Sequence, residues 1–162
     1  MLDEAKKTVH VSHWGFVSID EYFAVVNIGA ELKGEFNRVD FHKRNNGKNC
    51  MRKLSAKYPW YIQNLYFHDY IGNISSTNAI REEEHVEVDY EPRFPVCGGW
   101  KTDWNLGYKM PTKYHMTRES EKDNLYTLEV PFLHQYDVLL AENYTVEIIL
   151  PYGASDITVC KL

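Results

Sequence analysis

The chain has 162 residues, 44% of them apolar, 25% charged and 14% aromatic, including 12 Tyr and 4 Trp. A chain near ~150 residues buries roughly 68–70% of its unfolded surface, so this is one domain with a real core, not a disordered segment. The net charge of −5, without a Lys/Arg stripe, argues against a nucleic-acid binder, whose affinity rests on phosphate contacts.

No apolar run reaches the ~18 residues of a membrane span, and the opening Met1–Lys7 is too polar for a secretion signal. Taken alone, the chain reads as soluble and cytosolic unless it belongs to something larger. The three cysteines, Cys50, Cys97 and Cys160, form no CxxC pair. They allow at most one internal disulfide and leave the redox compartment open.

Strand-like alternation runs through the chain. Residues 1–8 read as a leading linker, and 9–162 as a single domain. Val9, Val11, Val17 and Ile19 share a period of two, interrupted by His13-Trp14-Gly15. Tyr22–Val26 is a nearly continuous apolar run that suits a buried central strand, and Asn27-Ile28-Gly29 turns the chain. A strand is expected around Arg38–Lys43, followed by a long loop whose basic Lys43–Lys48 stretch is solvated. A short helix could start near Pro59, and Asn64–Tyr70 reads as a strand closed by Gly72-Asn73.

Val86, Val88 and Tyr90 alternate with Glu87, Asp89 and Glu91, a half-buried strand with an acidic face. Pro92 and Pro95 end it. Trp100, Thr102, Trp104, Leu106 and Tyr108 form the clearest period-two segment, with a large aromatic face. Met110–Asn124 reads as a polar hairpin loop, Leu125–Val130 as a strand closed by Pro131. Val146, Ile148 and Leu150 suit another strand, and Ile157–Val159 a last one. About eight or nine short strands with only minor helix predict an all-β fold, an antiparallel β-sandwich.

The catalytic patterns are weak. His10 and His13 are three apart, which puts them on opposite faces of a strand and not on one metal. Asp137, His134 and Ser155 make a triad only on paper, because the GxSxG elbow is absent. Glu87, Asp89 and Glu91 are what the wet side of an antiparallel strand carries. Trp100, Trp104 and Tyr108 could stack sugar rings, although core or interface is the plainer reading. No catalytic residue, metal ligand or cofactor site is therefore expected. Two N-glycosylation acceptor motifs occur, Asn73-Ile74-Ser75 and Asn143-Tyr144-Thr145.

Three stretches, in order and spacing, go further: His10–Gly15, Arg93–Thr102 (RFPVCGGWKT) and Val146–Ala154 (VEIILPYGA). With Gly29–Gly34 and Asp69–Ser75 they resemble the ribophorin I family. The likeness implies a fragment of a type I membrane protein of the rough endoplasmic reticulum, corresponding to its second luminal domain. The signal peptide and membrane span would lie outside the fragment.

The resemblance further implies a non-catalytic subunit of the oligosaccharyltransferase, which transfers a preassembled glycan from dolichyl diphosphate to Asn in nascent chains. The catalytic centre and its metal belong to another subunit. Complex assembly and substrate presentation are the implied roles. The implied partners are the other subunits, including the catalytic one, with nascent polypeptides as further candidates. A carbohydrate-binding β-sandwich is the alternative. Asn73 matches the family pattern, whereas Asn143 rests on its motif. In an oxidising lumen a Cys50–Cys97 bond is conceivable. Gly98 and Gly99 are expected to permit a tight turn with positive φ and close backbone approach, and Trp100 to anchor the strand across both sheets.

Overall fold

The computed structural model describes residues 1–31, 33–39, 41, 49–120, 124–136 and 139–160. It is all-β, with thirteen strands among the described residues. A six-stranded sheet has the order β13-β1-β2-β10-β5-β6. Its members are β1 (Leu2–Val11), β2 (Phe16–Val26), β5 (Gln63–Asp69), β6 (Gly72–Asn73), β10 (Lys101–Pro111) and β13 (Ala141–Ile149). A three-stranded sheet combines β4 (Leu54–Pro59), β8 (His85–Tyr90) and β7 (Asn78–Arg81) in the order β4-β8-β7. Two small ribbons pair β3 (Cys50–Met51) with β9 (Val96–Cys97), and β11 (Met116–Ser120) with β12 (Leu125–Leu128).

Alternation decides which side chains are buried. In β8, Val86, Val88 and Tyr90 are buried while Glu87 and Asp89 stay half-exposed. Their partners on β4 are Tyr58, Ala56 and Leu54. Against them lie inward residues of the large sheet: the Tyr58 ring is 4.8 Å from that of Tyr108, and Phe67 is 5.0 Å from Tyr90. Trp104 is 1% exposed and contacts Phe23 and Phe67. These aromatics make the centre of the sandwich, where offset and edge-on ring pairs each add about 0.5–1.5 kcal/mol beyond area burial.

Among the described residues, pairing is antiparallel except between β1 and β13, which run parallel. A parallel neighbour needs a crossover. Here the segment after β12 provides it: Tyr136 bridges to Ala56, Lys7 Nζ donates to the Leu133 carbonyl, and Tyr144 Oη donates to the Phe132 carbonyl.

Several expectations are corrected. Residues 2–8 are not a linker: Leu2, Ala5 and Lys7 are fully buried in β1. Arg38, Val39 and Phe41 are helical, not extended. Asn37 starts that turn, its carbonyl accepting from Phe41 N–H and its Oδ1 from Val39 N–H, because Asn competes for backbone donors at helix starts. Asp40 and residues 42–48, the rest of the expected strand and the basic loop, lie outside the described residues. Pro59 ends β4 in a turn and starts no helix. The expected loop from Met110 contains a short 3-10 helix, Thr112–Tyr114, and β11, which pairs with β12 as a hairpin. Ile157–Val159 is exposed and forms no strand, having no neighbour to pair with among the described residues.

Candidate glycan-bearing face and structural junctions

Directly paired residues on neighbouring strands project to the same side of a sheet. One row of pairs crosses all six strands: Thr145, Lys6, Tyr22, Asn105, His68, Asn73. The next residues along each strand form the opposite row, Val146, Lys7, Glu21, Leu106, Phe67. The first row faces outward and the second faces the three-stranded sheet. Both acceptor asparagines lie on the outward side, because Asn143 pairs with Glu4, two residues before Lys6.

Asn73 is exposed at the end of a two-residue hairpin turn, Tyr70-Ile71. The turn is held from beneath. The Asp69 carboxylate accepts from Ile71 N–H at 2.9 Å and Gly72 N–H at 3.0 Å, and pairs with both arms of Arg93 at 2.8 and 3.0 Å. Arg93 also donates to the Gly72 and Asn73 carbonyls. The Arg93 hydrogen bonds, helped by the two backbone donors, lower the Asp69 pKa to about 2. This gives the acceptor turn a fixed backbone from a charge-assisted fork. Asn143 is exposed on β13, with Nδ2 3.4 Å from the Asp3 carbonyl.

The glycine pair lies at a junction of loops. Gly99 has φ +81°, and a Cβ on Gly98 would stand 1.9 Å from the Ala30 carbonyl oxygen. Only glycine fits that approach. The partner across the junction is Asn27, which sequence reading took only as a turn residue. Its carbonyl accepts from Gly99 N–H at 2.7 Å, and its N–H donates to the Trp100 carbonyl. Its side chain donates to the carbonyls of Asn49 and Val96 at 2.9 and 2.8 Å. Asn27 therefore ties the end of β2 to β3 and β9, where Cys50 and Cys97 pair directly and form a disulfide. The third cysteine, Cys160, is exposed. Trp100 does not cross the sandwich; it is half-buried against Phe36, 5.3 Å away. Trp104 takes the central position.

The sugar-stacking trio is not brought together at the surface. Trp104 and Tyr108 are 1% and 2% exposed, so no platform of Trp100, Trp104 and Tyr108 faces solvent. The paper triad is not assembled either. His134 packs edge-on against Phe23, Ser155 is exposed beside Asp156, and Asp137 lies outside the described residues. His10 and His13 are both exposed, His13 in the β1–β2 turn. Asp89 is held by Lys53 and Ser55, which lower its pKa. Glu82, His85 and Glu87 bring their polar atoms within 4.8 Å of one another where β8 begins, on a solvent-facing edge.

Sequence reading passed over an exposed aromatic group at the end of β4. Tyr61 stacks on Tyr114 at 4.3 Å, Trp60 stands edge-on to both, and Lys113 lies over the Tyr114 ring. Its signal, Tyr58-Pro59-Trp60-Tyr61, was visible as composition, but Tyr114 joins only through folding.

Residues 1–161 match the family model described as Ribophorin I. The chain belongs to the ribophorin I family. Dolichyl-diphosphooligosaccharide–protein glycosyltransferase subunit 1A of Arabidopsis thaliana is 38% identical over 156 residues, 94% of this chain and 25% of that protein. Subunit 1 of Caenorhabditis elegans is 34% identical over 150 residues, 90% of this chain and 25% of that protein. Subunit 1B of rice, Oryza sativa subsp. japonica, is 31% identical over 160 residues and is covered to 33%. The chain thus spans a quarter to a third of these relatives' length.

Proposed function

We propose that this chain is a luminal, non-catalytic domain of the oligosaccharyltransferase complex, the second luminal domain of subunit 1, residing at the endoplasmic reticulum. Its role is assembly with the other subunits, the catalytic one among them, and presentation of nascent polypeptides to it. The observation that carries this reading is the near-complete match to the ribophorin I model, with relatives named as subunits of that glycosyltransferase. The Cys50–Cys97 disulfide supports an oxidising compartment, since structural disulfides are rare in the cytosol. A rigid, disulfide-tied sandwich with a buried aromatic centre suits a scaffold. The carbohydrate-binding alternative has lost its motive with the burial of Trp104 and Tyr108.

The test is affinity purification of the full-length protein, tagged and expressed in eukaryotic cells, with mass spectrometry of what co-purifies. Recovery of the catalytic subunit from intact protein, and its loss when this domain is replaced by an unrelated sandwich, is the expected result. Recovery unchanged by the replacement would remove the assembly role.

A further inference from the structure

The two acceptor motifs are 70 residues apart in sequence, yet strand register brings them to one surface. The outward row begins at Thr145, the hydroxyl residue of the second motif, and ends at Asn73, the acceptor of the first. Asn143 is two residues from Thr145 on the same strand and so faces the same way. The motifs mark opposite edges of one face, about 24 Å apart for five steps of ~4.8 Å.

That face is chemically unlike an interface core, which is depleted in charge. Lys6 pairs with Glu147 at 2.9 Å in solvent, and Tyr66 lies across Gly107 to bond Asp20. Lys109 lies over the Phe16 ring, and Glu4, His10 and Asp103 also lie on this face. One large exposed apolar side chain, Ile149, lies on this face opposite His10, and Tyr70 and Ile71 form the turn beside Asn73. Others lie off it: Trp60 and Tyr114 in one cluster, Leu125 and Tyr126 on the β11–β12 hairpin, Ile80 on edge strand β7.

We propose that the outer face of the six-stranded sheet is the glycan-bearing face of the domain, framed by N-linked glycans on Asn73 and Asn143 and left free of protein partners. This rests on the reading that the protein matures in the endoplasmic reticulum. Each edge then carries a hydrated sugar chain over a polar surface, and the other subunits approach from the sides that hold the apolar residues. Asn143 suits this role because its outward Nδ2 makes one long bond to Asp3 and loses only one of its two hydrogens to a glycan.

The sequence offers a direct test, because single changes complete new acceptor motifs within this face. Lys6→Asn does so with Lys7 and Thr8, and His10→Asn with Val11 and Ser12. Both positions are exposed on β1. The full-length protein is expressed in eukaryotic cells with each variant and with the non-acceptor controls Lys6→Gln and His10→Gln. Glycopeptides and co-purifying subunits are quantified. The expected result is glycan on both Asn73 and Asn143, one further glycan in each variant, and subunit recovery within about twofold of the control.

Loss of subunits in a glycan-carrying variant, with the Gln control intact, would make this face an interface and overturn the proposal. An empty Asn73 or Asn143 beside a filled partner would remove the two-edged frame. Filled native sites with neither introduced acceptor modified would show the face to be closed. If no acceptor anywhere is modified, the compartment reading itself fails and the proposal goes with it.

Discussion

Lys6 and Lys7 are adjacent on β1, and each pairs with a glutamate, but on opposite faces of one sheet. Lys6–Glu147 spans 2.9 Å with both side chains about half exposed, 48% and 49%. Lys7–Glu21 spans 3.1 Å with both side chains essentially buried, 0% and 1%. The outer pair is solvated and screened, so it contributes little. The inner pair has given up its hydration. Burial lowers the Lys7 pKa, with Glu21 opposing, and raises that of Glu21, with Lys7 opposing. Lys7 also donates to the Leu133 carbonyl, which fastens the crossover to the sheet. The difference teaches that residue type says nothing about energetic weight here; strand parity does.

The comparison can be broken from its heavier side. Lys7→Met removes one partner and leaves a buried carboxylate uncompensated, a loss of about 3–5 kcal/mol. Chemical denaturation measures it, and Lys7→Met with Glu21→Leu is expected to recover much of the loss. If the single variant loses less than 1 kcal/mol, the pair is not buried in solution.

A backbone change sets the middle of the range. Gly99→Val forces a β-branched residue to φ +81°, next to the Glu31 side chain. The expected cost is about 1–3 kcal/mol, read as a lower melting temperature. An unchanged melting temperature would mean the Asn27 junction does not hold Gly99 in that conformation.

Asp69 sharpens the comparison because its ion pair joins a turn instead of crossing the core. Its folded pKa of about 2 lies below the ~3.9 of an unfolded Asp. A depressed carboxylate stabilises the fold fully above the unfolded value, and that contribution disappears as pH falls through the folded value. Asp69→Asn is therefore expected to be less stable than the parent at pH 5–7, with the gap closing between about pH 4 and pH 2. A gap that does not change with pH would assign the effect to lost hydrogen bonds and not to charge.

Lys6→Gln is the smallest change. It breaks only the solvated pair, for about 0–1 kcal/mol, and salt should shrink the effect further. A loss comparable with that of Lys7→Met would contradict the outward placement of this row.

Much of the architecture is legible in the sequence. The alternations of β8 and β10 and the apolar run of β2 announce their burial, because one covered face imposes period two. What failed did so for identifiable reasons. Residues 2–8 read as polar, since Lys6 and Lys7 mask a strand whose Leu2, Ala5 and Lys7 are all inside. The local Asn37 cap overrode the extended pattern around Arg38. Ile157–Val159 has strand composition but no paired neighbour among the described residues. Trp100 and Trp104 share parity in the sequence, yet Trp100 stands in the turn before β10 and only Trp104 lies in the core. The acceptor asparagines were readable as motifs, but not as members of one surface.

The sequence by itself determined the fold class, most strand positions, the glycine-dependent turn at Gly98-Gly99 and the family, because local pattern and short motifs encode these. Only the tertiary structure decided that Cys50 faces Cys97, that Asn27 joins three segments, that β13 runs parallel to β1, and that Asn73 and Asn143 border one face. Each of these depends on which strands become neighbours and in what register. That is set by packing of the whole core and is not visible in any single segment.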